Sequence, residues 1–189
     1  SNAEIVMVAG GGSGGTNIGG GGGAGGVLEG SSLTLPATTY TITVGGGGAG
    51  SDSGAGPGSD ESLANGGSNT TITYPGPYTW TANGGGEGGV YPSNVSAQPG
   101  GSGGGGAANT APGVSNGGSA TQGNSPTPIG TLTGYGNAGG PGYSAGSGSG
   151  NYQSAGGGGA GQAGVAGASN NAGEGGYGRQ LPATFRDPA

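Results

Sequence analysis

Glycine fills 59 of the 189 positions, near one residue in three where an ordinary domain has about 7%. That single fact limits what the chain can fold into. A conventional core is made of side chains, and Ile, Leu, Val and Phe together number only 20. Glycine also loses more backbone freedom on folding than any other residue. Either the chain stays largely disordered, as so polar and light a composition favours, or something other than side chains fills its interior.

The glycine runs have a period that bears on that choice. Gly11, Gly14, Gly20, Gly23 and Gly26 share one three-residue phase, interrupted at Asn17. Gly158, Gly161, Gly164, Gly167, Gly173 and Gly176 share another, interrupted at Asn170. An extended left-handed helix has three residues per turn, so one phase is one face. Collagen is the poorest match, because the period breaks repeatedly and there are only 12 prolines. The ordered alternative is a bundle of polyglycine-II helices, whose N–H and C=O groups point sideways and bond to neighbouring helices. On that reading the in-phase glycines face inward and leave no room for a side chain, while Gln162 lies off the phase.

Between the glycine runs lie short stretches rich in Thr, Val, Ile and Tyr, which read as strands. They are Ile5–Ala9, Thr38–Val44, Asn69–Tyr74, Tyr78–Ala82 and, more weakly, Ile129–Thr133. In the second, Tyr40, Ile42 and Val44 share one face and Thr39, Thr41 and Thr43 the other. Pro75-Gly76-Pro77 predicts a tight reversal, hence a hairpin. Gly, Pro and β-branched residues break every candidate helix. The expected fold is mostly β and irregular: short antiparallel strands plus glycine-rich, polyglycine-II-like extended segments, with almost no α-helix. The expected organisation is a strand framework with glycine-rich excursions over 1–98, a glycine-rich region over 99–178, and a tail leading out of the module over 179–189.

The chain has no Cys, His or Lys, and its basic residues are Arg179 and Arg186. That removes imidazole bases, thiolate nucleophiles, Schiff-base amines and the usual nitrogen and sulfur metal ligands. The eight carboxylates are scattered and the net charge is −6. Nucleic-acid binding is not expected, since it draws on clustered Lys and Arg. Neither is membrane insertion, since no apolar run approaches the ~20 residues of a spanning helix. No enzyme activity, cofactor or metal is expected. Asp52, Asp60 and Glu61 could hold calcium through oxygen, but their spacing fits no EF-hand loop and they read as solvated charges. Gly-x-Gly-x-x-Gly matches arise by chance at this glycine content and lack the following helix. The sequons at Asn69 and Asn94 are equally expected by chance.

Aromatic residues are more informative. Tyr74, Tyr78, Trp80 and Tyr91 lie close together, and Tyr135, Tyr143, Tyr152 and Tyr177 punctuate the second half. Trp80 and Tyr40 are expected to staple the bundle. For tyrosines in the glycine-rich loops, stapling and surface recognition stay open, because an amphipathic ring at a loop tip packs on sugars and hydrogen-bonds at its edge. The candidate recognition residues are Tyr78, Tyr91, Tyr143 and Tyr152.

The stretch Ile5-Val6-Met7-Val8-Ala9 before a glycine triplet, then Leu33-Thr34-Leu35-Pro36-Ala37-Thr38-Thr39-Tyr40-Thr41-Ile42-Thr43-Val44 before a glycine run, then Gly67-Ser68-Asn69-Thr70-Thr71-Ile72, resembles the glycine-rich domain of bacteriophage tail and tail-fibre proteins. The resemblance covers roughly residues 1–90; beyond that it is compositional. It implies a virion-borne, extracellular, receptor-binding adhesin module that displays loops from a glycine scaffold. Its implied partners are a bacterial surface glycan or outer-membrane protein, and copies of itself or other fibre proteins. It supplies no catalytic or ligand-binding residues. Two other readings compete: a self-assembling extracellular filament or coat protein, whose exposed β edges pair between subunits, and an ice-binding polyglycine-II module. Against the last, no regular threonine or alanine array is visible in the sequence.

Overall fold

The computed structural model describes residues 2–50, 64–91, 96–108, 115–144 and 151–186. Asp52, Asp60, Glu61 and Asn94 lie outside the described residues. Within them no α-helix occurs, and the ordered elements are short antiparallel strands and one 3₁₀ turn at Ala183–Phe185. The strands are β1 (Asn2–Val8), β2 (Val27–Thr34), β3 (Thr41–Thr43), β4 (Thr70–Tyr74), β5 (Tyr78–Ala82), β6 (Ser125–Thr127), β7 (Gly130–Tyr135), β8 (Tyr143–Ser144) and β9 (Tyr152–Gln153). They form a sheet of order β1-β2-β7-β6, a second of order β3-β4-β5, and a two-stranded ribbon, β8-β9.

The first two sheets pack on each other over the one side-chain core found among the described residues. Met7, Leu28, Leu33 and Leu132 come from the first sheet, Tyr74, Trp80 and Ala82 from the second. Trp80, Leu28 and Leu132 are fully buried, each contributing on the order of 1.5–3 kcal/mol. The Pro75-Gly76-Pro77 reversal is present: Tyr74 pairs with Tyr78, and Gly76 takes φ +117°, which favours glycine. Thr38–Val44 shrinks to Thr41–Thr43. Its ends are drawn off the ladder by side chains, as the Tyr40 hydroxyl donates to Pro36 O (3.1 Å) and Gly45 N–H donates to Thr70 Oγ1 (3.0 Å). β2 has no alternating pattern through Glu29-Gly30-Ser31-Ser32. It becomes a strand because β1 and β7 pair with both its edges, a tertiary override of propensity.

The second sheet corrects the view that no threonine array exists. Thr41, Thr73 and Thr79 are register partners, as are Thr43, Thr71 and Thr81. Because side chains alternate along a strand, these six threonines share one face, and Ile42, Ile72 and Trp80 share the other. The array escapes a linear reading because β3 and β4 are far apart in sequence.

The glycine-rich described segments form a bundle held by backbone hydrogen bonds that recur every third residue. Ala9, Gly12 and Gly15 donate to Gly26, Gly23 and Gly20, at 3.1, 2.9 and 2.9 Å. Gly26, Gly23 and Gly20 donate onward to Asn83, Gly86 and Gly89, and Gly86 and Gly89 to Ser102 and Gly105. A segment bonds different neighbours through different phases: Gly21 and Ala24 donate to Ala155 and Gly158. This is the three-fold, polyglycine-II-like arrangement, with each helix bonded to several others. Segments from either side of residue 98 are interleaved in it.

Glycine is required here for close approach, not for unusual dihedrals. Among the described glycines only Gly76 and Gly130 have positive φ. A Cβ at Gly12 would lie 2.2 Å from Gly86 O, and one at Gly20 would lie 1.8 Å from Gly105 O. The expected inward phase holds from Gly158 to Gly176, where a Cβ at Gly164 would lie 2.1 Å from Gly156 O. It fails at Gly11 and Gly14, which are exposed and whose nearest obstacles would be 3.6 and 3.5 Å away. In that run the blocked positions are Gly10, Gly12 and Gly15.

Adjacent residues therefore differ sharply. Gly12→Ala should lower the melting temperature steeply or abolish folding. Gly11→Ala should be neutral or stabilise by about 0.4–1 kcal/mol through the unfolded state. In the second half Gly164→Val should disrupt folding and Gln162→Val should not. Thermal melts of the four variants check this, and equal tolerance within either pair would refute it.

Candidate functional site

The direction of each segment decides where its connections lie. Residues 9–15 run antiparallel to 20–26 and parallel to 85–88, which donate to Gly10 and Ser13. Residues 86–89 run parallel to 102–105, and 103–106 run parallel to 137–140. Residues 164–167 run parallel to 138–141, while 173–176 run parallel to 154–157. It follows that the turn Thr16–Gly19, the residues Tyr91, Ala108, Ser115, Ser144 and Asn151, and the turn Ser169–Asn170 all lie at one end of the bundle. Gly50 and Ala64 lie there too, since 46 pairs with 68, and Asn65 N–H donates to Ser13 Oγ at 2.8 Å. The two packed sheets occupy the opposite end.

At the loop end several of these residues touch. Ala108 N–H donates to Ile18 O (3.1 Å) and Asn17 Nδ2 to Tyr91 O (3.3 Å). The rings of Tyr91 and Tyr152 have centroids 6.0 Å apart and are tilted by 50°. Tyr143 pairs with Gln153 across the β8–β9 ribbon, next to the Ser144–Tyr152 pair. Asn151 Nδ2 donates to Ser169 Oγ (3.2 Å) and Asn170 Oδ1 (3.3 Å), and Asn151 Oδ1 accepts from Asn170 N–H (3.3 Å). Asn17 and Asn170 have φ +58° and +69°, a conformation that asparagine tolerates better than most residues. Composition and aromatic spacing do not single out the asparagines as residues of a site. Their signal was present, since Asn17 and Asn170 are the two interruptions of the glycine phase.

Tyr78 does not belong with the other three candidates. It sits in the β4–β5 hairpin at the sheet end, 40% exposed, stacked on Tyr74 at 5.4 Å. Tyr74 also packs on Tyr40 and Trp80, each at 5.6 Å, so this aromatic row continues the core. The Asn69 sequon is structurally engaged: Asn69 Oδ1 accepts from Gly84 N–H (2.8 Å), and Thr70 is buried with its hydroxyl donating to Val8 O (2.8 Å).

Among the described residues charged chemistry is sparse and sits elsewhere. Arg179 grips Glu29 with two bonds, Nε to Oε1 at 3.0 Å and Nη2 to Oε2 at 3.1 Å, and lies 3.6 Å above the Tyr135 ring centroid. The hydrogen bond it donates to Glu29 holds the guanidinium above its ordinary pKa. With Thr184 Oγ1 bonded to Glu4, it lays residues 179–186 against the first sheet. A groove of about 700 Å³ runs between 21–25 and 173–178 above 156–159. Its walls are mostly glycine and alanine with Val8, Val27, Ser154 and Leu181, and Arg179, which also lines it, is already paired with Glu29. No cluster of three His, Cys, Asp or Glu suited to a metal occurs among the described residues. Glu87, half-buried in the bundle, has its carboxyl pushed up by burial.

A family model described as Glycine-rich domain matches residues 1–186, well past the stretch carried by motif resemblance. No curated protein and no solved structure matches the chain.

Two outcomes follow from the ionised groups. Arg179→Lys keeps the charge but loses the fork and the ring stacking, so it should cost about 1 kcal/mol in denaturant titrations; an unchanged midpoint would refute the clip. Below the unfolded glutamate pKa of about 4.3 both states of Glu87 are protonated. As pH rises the unfolded chain ionises first, so stability falls until the raised folded pKa is passed. Glu87→Gln should therefore melt higher than the parent at neutral pH, with the gap closing near pH 4. A gap that widens in acid would reverse the sign.

Proposed function

This chain belongs to the glycine-rich domain family, and we propose that it is a non-catalytic display module of a phage tail fibre, attaching to a bacterial surface glycan through its loop end. The observation that carries this reading is the gathering of the turns Thr16–Gly19 and Ser169–Asn170 with Tyr91, Tyr143, Asn151 and Tyr152 at the end away from the sheets. Functional residues sit on loops held by a rigid scaffold, and here the scaffold is backbone.

The chemistry of the loop end supports a neutral, hydroxyl-rich partner. Its described residues include Tyr91, Tyr143, Tyr152, Asn151, Ser169 and Asn170, and none is charged. Tyrosine offers area and a polar tip at little entropic cost, and Asn and Ser offer adaptable hydrogen bonds. Glycans present the same mixture of C–H faces and hydroxyls. Extracellular placement on a virion follows from that role.

Tyr78 provides an internal control. Replacing Tyr91, Tyr143 and Tyr152 together by Ser should abolish attachment to host cells with the circular dichroism spectrum unchanged, whereas Tyr78→Ser should leave attachment intact. Retained binding in the triple variant would discard the loop-end reading. Loss of fold together with binding would make these rings staples. A parent chain that polymerises without limit and binds no cell would favour the filament reading, for which β3 offers an outer edge with Ile42 and Val44 64% and 77% exposed.

A further inference from the structure

We infer that the threonine face of the second sheet is a second binding surface, and that its partner is the ordered water of an ice surface. The face presents Thr-x-Thr three times in register: Thr41 and Thr43 on β3, Thr73 and Thr71 on β4, Thr79 and Thr81 on β5. Neighbouring strands lie about 4.8 Å apart and alternate residues along a strand about 6.8 Å apart. The six side chains thus form a two-by-three lattice whose repeats lie near the oxygen spacings of a prism face of hexagonal ice.

Three observations give the lattice a partner of this kind. Thr41, Thr43 and Thr79 are exposed, and Thr71, Thr73 and Thr81 half-buried, so the face is open to solvent. Threonine has restricted χ1 freedom, and the hydroxyls of Thr73 and Thr79 are tied at 3.0 Å. The hydroxyls of Thr41, Thr43, Thr71 and Thr81 make no hydrogen bond within the described residues, leaving them to water.

What the face lacks decides between partners. It carries no charge, so it offers nothing specific to an anionic or cationic polymer. It carries no aromatic ring: Tyr74, Tyr78 and Trp80 fall on the opposite face, so it has no stacking platform for a crystalline polysaccharide. Each position supplies one methyl and one hydroxyl. A methyl orders the water around it, and a hydroxyl can take a lattice oxygen's place as both donor and acceptor. Repeated at two fixed spacings, that pair suits a solid made of water.

The test is ice-affinity partitioning of the fluorescently labelled chain into a slowly grown ice hemisphere, beside a labelled protein of similar size that ice excludes. The parent chain should be enriched in the ice. Thr43→Lys and Thr79→Lys should fall to the level of the excluded protein with their circular dichroism unchanged. Thr43→Ser, which keeps the hydroxyl and loses the methyl, should be intermediate and guards against a misfolded lysine variant. Tyr91→Ser, at the other end, should partition like the parent. Exclusion of the parent overturns the proposal, as does equal enrichment of parent and folded lysine variants. Loss in Tyr91→Ser alone overturns it too, and so does adsorption to crystalline cellulose without enrichment in ice.

Discussion

A backbone amide bonded to the carbonyl of a neighbouring extended helix, repeated at every third residue, is the interaction on which this molecule depends. It turns a composition that ought to remain unfolded into an interior. Buried N–H and C=O groups must be paired, and a polyglycine-II helix cannot pair them within itself. Each helix must therefore be surrounded. Residues 20–26 show how this works: three of their N–H groups go to 83–89, two go to 155–158, and their carbonyls receive bonds from 9–15 and 102–105. Bonds this close between main chains leave no space for a Cβ, so glycine content follows from packing density.

How much of this the sequence discloses depends on how many sides of a helix are covered. Residues 158–176 read correctly because the helix 162–168 lies at the margin of the bundle. There Gln162, Ala163, Val165 and Ala166 point outward and only Gly164 and Gly167 are constrained, so the phase is visible. Residues 9–15 bury more sides, and a run of nearly continuous glycine has no phase to read. Gly11 and Gly14 stand on the open side although no contact within the described chain demands glycine there. Ala24 is a subtler marker. It falls in the phase of Gly21, where an added Cβ would come no closer than 3.1 Å.

Strand patterning was legible where side chains alternate and the partner is local, as in the hairpin from Thr70 to Ala82. It was illegible in β2, whose Glu29-Gly30 step makes sense only beside Leu132: a Cβ at Gly30 would lie 2.3 Å from Leu132 Cδ2. The threonine lattice needed register between Thr41–Thr43 and a strand some thirty residues later, which no linear pattern supplies. At the loop end the tyrosines were visible as residue types. Their division between two ends follows from segment direction, which only the hydrogen bonds reveal.

The division of the molecule into a sheet end and a loop end also answers a problem peculiar to glycine. Sliding one polyglycine-II helix by one turn past its neighbour restores nearly every hydrogen bond, so the bundle cannot specify its own register. A strand with one buried face can, because a one-residue slip exposes its apolar set. Here that role falls to the packed sheets, where Leu28, Trp80 and Leu132 are fully buried, and to the Arg179–Glu29 clip that fixes the last helix. Register set at one end is carried along each helix by its three-residue period. At the far end the bonds from Asn17 to Tyr91, from Ala108 to Ile18 and between Asn151 and Asn170 tie neighbouring turns to one another and add to a register already set. Among the described residues, the side chains that set register and the turns that carry Tyr91, Tyr143 and Tyr152 are thus held at opposite ends of the bundle.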